Sequence, residues 1–107
     1  MKRDAGPVGE ALRIDKWLWC ARFFKSRSLA AEAVAGGKVH LNAQRVKPAR
    51  NVLVGDVLEI TLGFEVATVK VAAIPVRRGP AAEARRCYEE TPESIARRER
   101  YREQRRL

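Results

Sequence analysis

Soft metal ligands are scarce in this chain, with one histidine and two cysteines among 107 residues. A four-ligand zinc site needs more than that, so no metal is expected. Long apolar runs are also missing. Nothing approaches the roughly 20 consecutive apolar residues of a membrane helix, and residues 1–12 have no apolar stretch of the kind that marks a secretory signal. Cys20 and Cys87, far apart in sequence, are therefore expected as free thiols in a cytoplasmic protein. Catalytic patterns are absent too. Gly36-Gly37 alone reads as a helix stop and not as a phosphate loop. Ser26 and Ser28 have no histidine near them in sequence. Asp15 is expected to pair with a neighbouring base or to cap a helix, and Asp56 after Gly55 is turn chemistry. No catalytic residue, cofactor or metal ligand is assigned, and the chain is read as a non-enzyme.

Acidic residues are the last shortage. Thirteen Asp and Glu stand against 22 Lys and Arg, a formal charge of +9. That excess points to a polyanionic partner, because each phosphate neutralised releases counterions. Hydrophobic residues make up 46%, enough for a folded chain of one domain with a modest core.

Residues 1–12, with Gly6, Pro7 and Gly9 and no periodicity, read as a flexible tail. Ile14, Trp17, Leu18 and Ala21 then repeat at the spacing of a helix face. Ser26 is a good N-cap for a second helix, whose apolar face is Leu29, Ala30, Ala33 and Val34. After Gly37 the period shifts to two. Val39 and Leu41 alternate with Lys38, His40 and Asn42, a hairpin turn falls at Asn42-Ala43, and residues 44–46 return. Leu58, Ile60 and Leu62 form a third strand, and Ala67, Val69, Val71 and Ala73 a fourth. Residues 75–107 hold ten Arg and six Glu, with a helix starting at Pro92 behind Thr91. Glu99 and Glu103, interleaved with Arg98 and Arg102, suggest a solvated helix with i,i+4 ion pairs. The expected fold is α+β: two packed helices, an antiparallel sheet of four or five strands, and a C-terminal helical extension.

The basic residues cluster. Between residues 16 and 50 eight Lys or Arg accompany one acid, Glu32. Arg13 and Lys16 lie in the first turn of the first helix, Arg22 and Lys25 at its end, and Arg27 at the start of the second. Lys38, Arg45 and Lys47 lie on the outward face or rim of the hairpin. These eight are expected to form one basic face for RNA phosphates. Ser26, His40, Asn42 and Gln44 add polar groups for ribose hydroxyls or base edges. Trp17 is read as core, and packing is favoured for Trp19 as well.

Arg13-Ile14-Asp15-Lys16-Trp17-Leu18, Lys25-Ser26-Arg27 with Ala30, Gly37-Lys38-Val39 with Asn42, Lys47-Pro48 and Gly55-Asp56 occur in that order over residues 13–62. Together they resemble the S4 RNA-binding domain. Ala43 departs from the pattern, which usually has Gly after Asn, and leaves the turn type open. Trp17-Leu18-Trp19 with Ala21-Arg22-Phe23, then Arg77-Arg78, Glu83-Ala84, Tyr88-Glu89-Glu90-Thr91 and Glu93-Ser94, resemble the heat shock protein 15 family of bacterial ribosome-associated proteins. The basic tail is shorter than is usual there. The resemblance implies an S4-like (αL motif) domain at 13–74 and a basic, largely helical extension at 75–107. It also implies a partner: ribosomal RNA of the free large subunit, still carrying a nascent chain on transfer RNA, in the recycling of prematurely dissociated subunits under heat stress. A monomer with no membrane partner is expected. The residues alone leave other readings open. One is the accessory RNA-binding module of an RNA-modifying enzyme. Another is a DNA-binding protein, since charge does not separate the two polymers. A third makes the C-terminal segment a protein-interaction helix.

Overall fold

A computed structural model describes residues 11–106; residues 1–10 of the expected tail lie outside the described residues. In chain order the elements are β1 (Leu12–Arg13), α1 (Ile14–Cys20), α2 (Arg27–Ala35), β2 (Val39–Leu41), β3 (Gln44–Arg45), β4 (Asn51–Val52), β5 (Val57–Leu62), β6 (Glu65–Val71), α3 (Ala81–Ala84) running into a single 3-10 turn (Arg85–Cys87), β7 (Tyr88–Glu90) and α4 (Pro92–Arg106). Five strands form one antiparallel sheet in the order β3-β2-β5-β6-β7, and β1 pairs with β4 apart from it. The architecture is the α+β one expected.

The helical stripe is the core. Ile14, Trp17 and Leu18 of α1 and Ala30 and Val34 of α2 are fully buried. They join Val39 and Leu41 of β2, Leu58 and Ile60 of β5, and Ala67, Val69 and Val71 of β6. Burying a side chain of Val or Leu size contributes about 1.5–3 kcal/mol, so this two-layer packing is the main driving force for the fold. Trp17 also satisfies its one polar atom, with Nε1 donating to the Ala73 carbonyl at 3.0 Å. Its ring stacks on Phe23 and meets Tyr88 edge-on, which ties the extension to the helical layer.

The punctuation follows the residues. Ser26, in extended conformation, accepts from the Leu29 N–H at 3.1 Å and starts α2. The β2–β3 turn puts both Asn42 (φ +50) and Ala43 (φ +68) in the left-handed region, the signature of a type I′ turn. Alanine therefore occupies a position where its Cβ is strained.

The structure departs from expectation in three places. Leu12, read as the last residue of the tail, pairs with Val52. Strand β6 spans Glu65–Val71, because the two-residue turn Gly63-Phe64 sets Leu62 opposite Glu65; Ala73 lies beyond it. The extension contributes a strand, β7, which pairs with residues 69–71. At three residues, two of them glutamates, it shows no strand periodicity; the open edge of β6 selects it. Where β7 stops, α4 takes over that edge. Thr91 N–H donates to the Thr68 carbonyl, Ser94 Oγ accepts from Thr68 N–H at 2.8 Å, and Arg97 donates to the Val66 carbonyl at 3.1 Å. A helix thus satisfies sheet-edge groups that would otherwise invite pairing with another chain.

Candidate nucleic-acid interface

Asp15 anchors the candidate interface. It sits in the first turn of α1 and is only 3% exposed, and a carboxylate so placed needs cationic partners. Arg13 supplies two hydrogen bonds, at 3.2 and 2.9 Å, and Arg27 stands at 3.6 Å. The Asp15 charge raises the Arg13 pKa above its ordinary value, chiefly through the hydrogen bond. One buried acid therefore brings together the residue before α1 and the first residue of α2, and both arginine side chains remain about half exposed.

Further cations surround this pair. Burial pushes the Cys20 thiol up, against the opposing pull of Lys16, Arg78 and Arg27, whose charges lie around it. The loop after β3 folds over the start of α1: Ile14 N–H donates to the Arg50 carbonyl at 2.7 Å and Asp15 N–H to that of Pro48 at 3.4 Å. Lys47 shares a shallow recess with Arg45, Val46 and Pro48 beside the end of α2. The geometry thus gathers Arg13, Lys16 and Arg27, with the Lys47–Arg50 loop against them.

Other expected contacts have structural partners. Arg22, in the left-handed conformation (φ +69), donates twice to the Gly79 carbonyl at 3.0 and 2.8 Å. Arg45 donates to the Ala35 carbonyl at 2.7 Å and lies against Gly37, where it closes the C-terminus of α2. Both ends of the Asn42 amide are used: Nδ2 donates to Asp56 Oδ1 at 3.2 Å and Oδ1 accepts from Val57 N–H at 2.9 Å. Ser26 is the α2 cap. His40 lies 3.9 Å from Glu59 and lines a second recess with Lys38 and Thr61. Lys25 and Gln44 are exposed. Two cations were missed from the residue set. Arg50 lies within the basic run and shows itself there. Arg78 donates to the Trp19 carbonyl at 3.0 Å and lies over the half-buried Trp19 ring at 5.4 Å; no local pattern 59 residues away could indicate that.

The arginines of α4 behave differently from a solvated helix. Arg98 bonds Glu90 at 2.6 Å and Glu65 at 3.3 Å, and Arg102 bonds Glu65 at 3.0 Å. These pairs cross to the sheet and replace the i,i+4 pairs expected with Glu99 and Glu103. The carboxyls of Glu65 and Glu90 are held below their usual range by hydrogen bonds from Arg102 and Arg98 respectively.

Comparison with known proteins is consistent with this arrangement. The S4 domain matches residues 12–58. Heat shock protein 15 of Escherichia coli is 51% identical over 88 residues, covering 82% of this chain and 66% of the relative. The solved trimeric structure of Vibrio cholerae heat shock protein 15 superposes with a TM-score of 0.83 at 47% identity, over 86% of this chain and 93% of that one.

The chain belongs to the heat shock protein 15 family.

The match spans just under two thirds of the Escherichia coli relative's length. The RQC P-site tRNA stabilizing factor of Bacillus subtilis is a more distant relative, 35% identical over 60 residues, 56% of this chain and 70% of that one. No helix among the described residues is long and apolar enough to cross a membrane.

Proposed function

We propose that this heat shock protein 15 family member is a non-catalytic RNA-binding protein that docks on structured RNA of the large ribosomal subunit. The observation that carries the reading is the Asp15 bridge. It holds Arg13 and Arg27 together next to Lys16, while each arginine side chain stays about half exposed. Fixed cations of this kind position a protein on a phosphate backbone at little ordering cost. In this reading the S4-like unit at 13–74 makes the contact and the extension at 75–107 braces the sheet. Arg22, Arg45 and Asn42 act mainly by shaping the face, since each is held by protein groups. Lys25, Lys38, Lys47, His40 and Gln44 are its remaining exposed contacts. The names of the relatives, a heat shock protein and a factor that stabilises P-site tRNA, support a narrower target. That target is the free large subunit with peptidyl-tRNA, and the role is rescue of subunits that dissociated prematurely in heat stress.

Sedimentation with separated ribosomal subunits and RNA titration test this together. The protein is expected to travel with the large subunit. Arg27→Ala is expected to weaken RNA binding by on the order of 1–2 kcal/mol, the loss of a charge-assisted hydrogen bond, and Arg100→Ala much less. Arg27→Ala binding normally while Arg100→Ala fails would move the contact to the C-terminal helix. Equal competition by duplex DNA would remove the preference for RNA.

A further inference from the structure

Phe64 is 83% exposed, the most of any large hydrophobic side chain among the described residues. A tight turn presents it. It occupies the second position of the two-residue turn between β5 and β6, where Gly63 (φ +66) takes the first, as a type II′ turn requires. Tyr101 of α4 lies across from it, and the two rings border a recess of about 220 Å³ with Val66, Arg97 and Arg98. That is below the roughly 300–1,000 Å³ of clefts that enclose drug-sized ligands, and it suits one planar ring. The surround is fixed in place. Arg97 is bonded to the Val66 carbonyl, Arg98 bridges Glu65 and Glu90, and the Arg105 guanidinium lies 5.8 Å over the Tyr101 ring. Glu65, the acid of the recess, is neutralised by Arg98 and Arg102.

We propose that this recess takes one unpaired RNA base, stacked on Phe64 and Tyr101, as a second contact outside the Asp15-centred face. The proposal rests on the RNA-binding reading above and names a further part of the same partner. Charge selects the occupant. Helix α4 carries six Arg and three Glu, which attracts the phosphates flanking a base. A second copy of this chain is the competing occupant, since the Vibrio cholerae relative is trimeric, but its own +9 gives no charge complementarity to this basic helix. The path is continuous as well. Val66 borders both this recess and the neighbouring one that holds Lys38 and His40, so a strand held by Lys38 passes Phe64. Glu59 lies on that path, opposite His40. Aromatic stacking accepts any base, so the site selects for single-stranded character and not for sequence.

The full chain is titrated with a short single-stranded oligoadenylate and with a base-paired RNA hairpin closed by a non-nucleotide linker, so that it has no unpaired base, at several salt concentrations, alongside sedimentation of the free protein. Phe64→Ala and Tyr101→Ala are each expected to weaken oligoadenylate binding roughly tenfold. Hairpin affinity and the salt slope should stay unchanged, because no phosphate contact is lost. Phe64→Trp should restore binding. Wild-type affinity for oligoadenylate in both alanine variants overturns the proposal, while hairpin binding by the same proteins leaves the basic-face reading standing. Loss of self-association in Phe64→Ala without loss of RNA affinity assigns the recess to a second copy and overturns it too. If wild-type protein binds neither RNA, the RNA-binding reading itself fails, and this proposal with it.

Discussion

Ala43 shows how one residue strains a turn that its neighbour supports. Asn42 takes the left-handed conformation readily and locks it with two side-chain hydrogen bonds to the start of β5. Ala43 takes the same conformation against its Cβ. Ala43→Gly is therefore expected to stabilise the fold by about 1 kcal/mol, seen as a higher melting temperature with RNA binding unchanged. Trp17 is the opposite case, a residue with no strain and no freedom. Trp17→Phe keeps much of the apolar contact but leaves the Ala73 carbonyl without its donor. A loss of about 1–3 kcal/mol is expected in chemical denaturation. The sequence identified Trp17 as core from its place on the stripe. It could not show that Arg22, read as a phosphate contact, would turn its guanidinium to Gly79, because that partner is 57 residues distant.

Among the elements, α4 depends most on electrostatics. Its buried foothold is Ser94, while Arg98 and Arg102 hold it to Glu65 and Glu90. Both glutamates have folded pKa values below their ordinary range. A lowered folded pKa stabilises the native state above the unfolded value of about 4.3 and loses that contribution as pH falls through the folded value. With the intrinsic pH dependence of exchange divided out, amide protection in α4 is thus expected to hold from pH 7 to 5 and to fall below about pH 4, ahead of the β5–β6 hairpin. Uniform loss of protection in both elements would contradict this. Arg98→Ala should loosen the helix at neutral pH at a cost of about 2 kcal/mol, since it leaves Glu90 partly buried and short of its donors. Periodicity made α1, α2 and the long strands legible, because each buries one regular face. Strand β7 has no such face of its own, and its place follows from the edge it covers.

At the scale of the molecule, the +9 charge sets association in both directions. RNA affinity is expected to fall steeply with salt, and Lys16→Ala to reduce the slope of log K against log salt by about 1, the loss of one phosphate contact. Self-association has the reverse dependence. The Vibrio cholerae relative is trimeric, yet like-charged copies repel least when screened. Sedimentation is expected to show a monomer at low salt, and any assembly should grow as salt rises. Assembly strongest at low salt would point to specific ion pairs between copies.

What the sequence determined by itself was whatever depends on near neighbours in the chain. The 3.6-residue stripe of Ile14, Trp17 and Leu18, the Ser26 cap, the alternation of residues 39–41 and 58–62, and the basic run of residues 16–50 are all of that kind. Each reflects a rule acting over a few residues, so the α+β class and the concentration of positive charge could be read directly. Tertiary structure decided which charges are already engaged by protein groups and which are left for the proposed RNA contact. Asp15 gathers Arg13 and Arg27, Gly79 and Ala35 engage Arg22 and Arg45, and Glu65 and Glu90 draw in the arginines of α4. A guanidinium serves the partner that folding brings within reach, and most of those partners are many residues away in sequence. Phe64 is the clearest instance: an ordinary apolar residue in the sequence becomes, at the tip of a tight turn facing Tyr101, an exposed ring with nothing in its own core to cover it.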